Sequence, residues 1–243
     1  LPRGVALEVF TDRKPPGQPR TATREVVLHK HYLQLPVKTG AKQRRLALVV
    51  GGKVVRECDI ELADGEVDAA ILFSDLLLPL EFMGLPFDFI KGEGPQIETP
   101  VRSTADIDRL RGFEPRESLA HVLQAIRLIQ RELDGRIPLI GFAGAPFTLA
   151  SYAIEGGHSN NFGLTKALMY GHPDAWHRLC DHFARIVGDY LVAQIEAGVD
   201  AVQIFDSWVG ALSPADYREF VLPHTRRIFA AIGGRVPTLH FGT

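Results

Sequence analysis

Three residues could do chemistry together if the fold gathers them: Asp75, Tyr152 and Ser207. They offer an acid, a phenol and a hydroxyl, groups that bind and polarise a substrate through hydrogen bonds and charge. Asp75 follows the apolar run AAILFS (69–74), Tyr152 lies in the segment after PLIGFA (138–143), and Ser207 follows the run from Val199 to Asp206. An acid at the end of a buried strand is costly unless something pairs with it. In a βα-barrel that end is also where active sites are built. Each residue has a plainer reading as well. Asp75 suits a turn or a helix cap, Tyr152 a half-buried tether for its loop, and Ser207 a cap. The residues alone leave both readings open.

Other chemistries lack their patterns. There is no Gly-x-Ser-x-Gly elbow, no His-Glu-x-x-His pair, no phosphate-binding P-loop and no Gly-x-Gly-x-x-Gly after a strand. The nine histidines are scattered, and His29, His31, His177 and His182 read as surface residues. Cys58 and Cys180 have no CxxC spacing, which argues against both a disulfide framework and a zinc site. Cys180 lies on the apolar stripe of a helix and reads as a small core residue. What is left is chemistry by acid, phenol and hydroxyl, without an evident metal.

The elements that must position these groups alternate strand and helix. Asp68–Ser74 reads as a strand buried on both faces, because its apolar run is too continuous for a half-exposed edge. Leu76 to about Ser103 reads as a long, ordered and therefore functional connection, rich in Gly and Pro. Glu117–Asp134 is an amphipathic helix stopped by Gly135. Pro138–Ala143 is a second strand, running into the small-residue turn Gly144-Ala145-Pro146. Pro173 opens a long helix that Gly198 ends, with Trp176, Leu179, Cys180, Phe183, Val187, Leu191 and Ile195 on its buried stripe. Val199–Phe205 is a third strand. Ser213-Pro214-Ala215-Asp216 has the signature of a capped helix start. Pro223 should kink or break that helix, and Arg235–Phe241 is a last strand. This order implies a parallel sheet with right-handed crossovers. Four strands are too few for a closed eight-stranded barrel.

The 243 residues carry 46% apolar and 23% charged residues, an ordinary globular composition. No run approaches the length of a membrane span and no leader resembles a signal peptide, so a cytoplasmic setting is expected and no membrane partner. The net charge of −2 hides a break. Residues 1–56 hold twelve Lys/Arg against three Asp/Glu, and the remainder holds fifteen against twenty-six. The basic arm has few aromatics and no recognisable binding module, so no nucleic acid partner is expected. Leu46–Val50 is strand-like, with Gly51-Gly52 as a turn, whereas prolines leave Leu1–Arg45 without a clear period.

Four long stretches carry a resemblance: VDAAILFSDLLLPLEFMGL (67–85), GEGPQIETPVRS (92–103), GFAGAPFTLASYAIEGG (141–157) and AVQIFDSWVGALSPADYREFVLPHTRRIF (201–229). In one register from about Val67 to Gly242 the chain resembles the uroporphyrinogen decarboxylase family. The resemblance implies an α/β chain folded as a partial (β/α)8 TIM barrel, and a homodimer. It implies removal of the carboxyl groups of four acetate side chains of uroporphyrinogen III, a tetrapyrrole, giving coproporphyrinogen III in haem and chlorophyll synthesis without cofactor or metal. Losing CO2 from an acetate on a pyrrole leaves a carbanion. Protonating the ring at carbon first creates a cationic electron sink, and a carboxylate near the pyrrole N–H groups stabilises it. By resemblance Asp75 is that carboxylate, Tyr152 and Ser207 are hydrogen-bonding contacts to substrate, and Phe205 and Phe73 are apolar walls.

The chain departs from the family at both ends. The family's Trp-Met-Arg-Gln-Ala-Gly-Arg run, with two substrate-binding arginines, is absent from Leu1–Glu66. Its substrate-contacting histidine would lie beyond Thr243, and His240 stands on an earlier strand. The expectation is therefore an atypical basic segment over 1–66, translated in another reading frame, before an incomplete TIM-barrel decarboxylase domain over 67–243. Without arginines to grip carboxylates bidentately, little or no activity is expected, together with an aggregation-prone sheet edge. The alternatives are an inactive fragment that only binds, and a corrinoid-dependent methyltransferase of the related barrel family. The latter needs zinc ligands that His240-Phe241-Gly242 does not supply.

Overall fold

The computed structural model describes residues 69–72, 74–90, 92 and 94–242, together with the backbone of four strands before them. These strands are β1 (Val5–Thr11), β2 (Arg20–Val26), β3 (Gln43–Val50) and β4 (Lys53–Glu61). The chain divides into two compact units, residues 1–70 and 71–243. The first holds an antiparallel sheet in the order β2-β1-β3-β4. Val50 pairs with Lys53, and the turn expected at Gly51-Gly52 lies outside the described residues. Two strands therefore occupy Leu1–Arg45, where prolines obscure the pattern. His29 and His31 lie outside the described residues.

The second unit is built on a sheet of order β10-β9-β8-β5. Its strands are β5 (Ala70–Ile71), β8 (Leu139–Gly144), β9 (Ala201–Asp206) and β10 (Thr238–Gly242), and β8, β9 and β10 run parallel. The strand expected over 68–74 is less buried at Ile71 than its apolar run suggests. Among the described residues, pairing covers Ala70–Ile71, extended by the Leu72 N–H donating to the Ile140 carbonyl at 2.8 Å. Ile71 is 41% exposed, whereas Leu72 and Ser74 are buried, and all three line one cavity.

The connection from Leu76 to Ser103 is not a loop. It contains α1 (Leu78–Phe82) and an antiparallel hairpin of β6 (Phe87–Ile90) and β7 (Gly94–Ile97). The turns α2 (Thr104–Asp108) and α3 (Pro115–Ser118) lead into α4 (Ala120–Leu133), which ends in a left-handed Asp134. After β8 come α5 (Pro146–Glu155) and α6 (Gly163–Gly171), then α7 (Pro173–Ala197), whose apolar stripe packs on the sheet. Pro at the first turn and a left-handed Gly198 bound α7. A single turn, α8 (Pro214–Asp216), starts with a complete capping box between Ser213 and Asp216. Tyr217–Val221 then widens into a π-helical turn before α9 (Leu222–Ile232) resumes with Pro223 in its first turn. The irregularity lies just before the proline, where the missing N–H leaves the ladder incomplete. The Trp176 indole donates to the Phe220 carbonyl there at 2.8 Å.

Two histidines expected at the surface are half-buried instead. His177 and the buried His224 share a hydrogen bond of 2.9 Å, and the other nitrogen of His224 meets Asp181 at 2.8 Å. His182 keeps its Nδ1 out of solvent. The packing of α9 on α7 covers them, a contact their sequence neighbourhoods do not signal. Cys180 is buried on the α7 stripe. No helix among the described residues is long and apolar enough to cross a membrane.

Candidate active site

Alternation along the strands sorts side chains into two faces. On β9, Val202, Ile204 and Asp206 are buried toward the helices, and Gln203 and Phe205 point the other way. On β8, an added Cβ at Gly141 would meet Gln194 of α7, so Phe142 occupies the opposite face beside Phe205. That face and the residues after β5 enclose a cavity of about 310 Å³ lined by Ile71, Leu72, Ser74, Asp75, Leu76, Leu77, Pro95, Phe142, Tyr152 and Phe205.

Asp75 is the one acid in this lining. Its Oδ1 accepts from the Leu77 N–H at 2.7 Å, so it forms the expected turn and faces the cavity as well. Burial raises the carboxyl above the usual range, and the Leu77 hydrogen bond offsets this in part. A carboxylate in so apolar a chamber favours any N–H or cationic group that enters it.

Tyr152 reaches the cavity from the last turns of α5. Burial, then the nearby charge of Asp75, pushes its phenol up, so it stays protonated and able to donate. Its ring stacks on Trp208, with centroids 4.1 Å apart, and Phe162 flanks the indole at 5.2 Å. Phe205 forms a wall with Phe142 at 5.9 Å and Phe241 at 5.6 Å.

The cavity thus gathers Asp75, Tyr152 and Phe205 from three segments far apart in sequence. Ser207 follows β9 directly and is not among the lining residues. Phe73 lies outside the described residues. Ser74, Leu72, Phe142 and Pro95 also line the cavity, though their sequence positions do not mark them as site residues. The alternation along PLIGFA could have flagged Phe142, whereas Pro95 arrives through a hairpin that reads as loop. A second cleft of about 580 Å³, shared through Tyr152 and Pro95, is lined also by Gly92, Gly94, Gln96 and His158. Its wall is fixed where the Ile97 N–H donates to the Gly156 carbonyl at 2.6 Å. No group of three or more His, Cys, Asp or Glu among the described residues could hold a metal ion.

Comparison with known proteins adds to this geometry. The family model described as uroporphyrinogen decarboxylase (URO-D) matches residues 60–243. Uroporphyrinogen decarboxylase of Chloroflexus aurantiacus is 58% identical over 182 residues, covering 73% of this chain and 51% of that protein. The enzymes so named from Sorangium cellulosum and Streptomyces coelicolor are 59% and 56% identical, covering 73% and 72% of this chain and 51% and 49% of those proteins. The chain therefore spans about half the length of the curated relatives it matches. Among solved structures, a methyltransferase from Methanosarcina mazei superposes with a TM-score of 0.58 at 19% identity, covering 72% of this chain and 51% of that one. At that identity the likeness is one of fold, a parallel α/β barrel present here in part.

Proposed function

The chain belongs to the uroporphyrinogen decarboxylase family, and on that premise we propose that its cavity binds uroporphyrinogen for decarboxylation of the acetate side chains. The observation that carries this reading is Asp75, a carboxylate held in the segment after β5, the one acid in a chamber walled by mostly apolar side chains with the Tyr152 phenol and Ser74. The pyrrole N–H groups of the macrocycle are the donors that such an acid lacks. When a ring carbon is protonated, the N–H groups gain positive charge. A fixed carboxylate in a low-dielectric site then stabilises the transition state more than the ground state. Release of CO2 returns the electron pair to the ring system. Protonation of the side-chain carbon then gives a methyl group while the ring carbon gives up the proton it had gained, so one proton replaces one CO2 overall.

In this reading Asp75 is the catalytic group. The Tyr152 phenol and the Ser207 hydroxyl hold the substrate by hydrogen bonds, while Phe205 and Phe73 form its apolar walls. The reaction draws on no cofactor or metal. The working form is a cytoplasmic homodimer of the decarboxylase domain over 67–243, with residues 1–66 as a separate basic segment. The break in charge near Arg56 supports a boundary ahead of the decarboxylase domain.

The test is anaerobic incubation of the purified chain with uroporphyrinogen, following coproporphyrinogen by HPLC. The expected result is little or no product from this chain alone. Once family-type N- and C-terminal regions are supplied, product is expected that falls on the order of a hundredfold in Asp75→Asn, comparable with removing one group that stabilises transition-state charge. Equal turnover with and without that substitution would refute the role of Asp75. Absence of turnover even then, with tight binding of the macrocycle retained, would favour the reading as a fragment that only binds.

A further inference from the structure

Asp206 is the acid the proposed chemistry does not use, and it is fully buried. It ends β9 on the helix-facing side, between Phe205 and Ser207. Its Oδ1 accepts from the Thr148 hydroxyl at 3.0 Å. Its Oδ2 is buried with no hydrogen-bond partner, and the His240 Nε2 stands 3.7 Å away. An acid buried with so little compensation costs stability, and an apolar residue of similar size would fill the place more cheaply. Thr148 gives it a task. Thr148 is buried in α5 one turn before Tyr152, on the same side of the helix. A second bond, from the Ala145 N–H to the Phe205 carbonyl at 2.8 Å, fixes the start of that helix to the same strand end. Two bonds thus join the strand end that presents Phe205 to the helix that presents Tyr152.

We propose that Asp206 is a positioning residue, which sets through Thr148 where Tyr152 stands in the chamber with Asp75 and Phe205. The bearing on catalysis rests on the decarboxylase reading above, but the placement of Tyr152 does not.

Trp208 reports on that placement, because it stacks on Tyr152 and is one of only two tryptophans. The experiment labels the full chain with 5-fluorotryptophan and records 19F NMR spectra, with Trp176 as the internal control for an intact core. Thr148→Val removes the donor without changing side-chain shape, and Asp206→Ala removes the acceptor. Both should move the Trp208 resonance by more than its linewidth and leave Trp176 in place. Thr148→Ser and Asp206→Asn keep a donor and an acceptor and should leave both resonances unmoved. An unmoved Trp208 in Thr148→Val would overturn the proposal, as would equal displacement of both resonances in all four variants. A second arm titrates uroporphyrin, the oxidised octacarboxylic macrocycle, into the same proteins. About tenfold weaker binding in Thr148→Val, restored in Thr148→Ser, ties the positioning to the chamber's ligand. No binding by the wild type would overturn the decarboxylase reading of the chamber, while the NMR arm still decides the role of Asp206.

Discussion

Replacing Gln194 with leucine should destabilise the 71–243 unit by several kcal/mol, through loss of a helix side chain that completes a strand. Gln194 is fully buried in α7, and its amide spans both polar groups of one β8 residue. Its Oε1 accepts from the Phe142 N–H at 3.0 Å, and its Nε2 donates to the Phe142 carbonyl at 2.8 Å. A buried backbone group left unpaired costs about 1–3 kcal/mol, so two cost about 2–6 kcal/mol. Apolar burial of the leucine returns roughly 1 kcal/mol. At about 2–4 °C per kcal/mol for a domain of this size, Tm should fall by on the order of 10 °C. The same mechanism explains Gly141. A Cβ there would stand 2.5 Å from the Gln194 Oε1 and 3.1 Å from the Val199 methyls, so Gly141→Ala should expel the amide at similar cost. The assay is urea denaturation of the two single variants and the double variant, followed by tryptophan fluorescence, since both tryptophans lie within residues 71–243. Because each change removes the same pair of bonds, the double variant should lose little more than either single one. Costs that add to within about 0.5 kcal/mol, as at independent sites, would refute the reasoning.

Two further predictions concern pH. Burial raises the Asp75 carboxyl from its ordinary 3.8, so the folded state holds its proton more tightly than the unfolded chain. Stability from this group is greatest below that value and is lost as pH rises through the raised one. Asp75→Asn should therefore be more stable than wild type near pH 7 and flatten the pH dependence of Tm above pH 4; an unchanged profile would refute it. His224 has the opposite sense. Burial, only partly offset by Asp181, holds it below its ordinary 6.5, so the folded state resists its protonation. Its contribution is present above 6.5 and is lost as pH falls through the lowered value. His224→Gln should make Tm less sensitive to acid below pH 6.5, measured by calorimetry across pH 4–8, and an equally steep fall would count against this.

Much of the fold of 71–243 is legible in its sequence. Continuous apolar runs mark β8 and β9, Pro173 and Gly198 bound α7, and Ser213 with Asp216 caps α8, because these are local rules acting on local residues. The hairpin of β6 and β7 is hidden because Gly92, Gly94 and Pro95 carry the composition of a loop, though two of them are glycines with positive φ inside a tight reversal. Of the candidate site, Asp75 stands out by its place after an apolar run, and Tyr152 through resemblance. Asp206 reads merely as the end of a strand and Gln194 as one more polar residue on a helix. Their roles depend on which partner faces them across the sheet–helix layer, and spacing along the chain carries no record of that.

The links that close the chamber are also long ones. Thr148 meets Asp206 across 58 positions, and Phe142 meets Gln194 across 52. Closing loops of this length costs entropy before the contacts repay it. The helices between them can form earlier from local contacts. The chamber is thus a late arrival in folding and an early loss in partial opening, and an intermediate can keep most of its helix while holding no site at all.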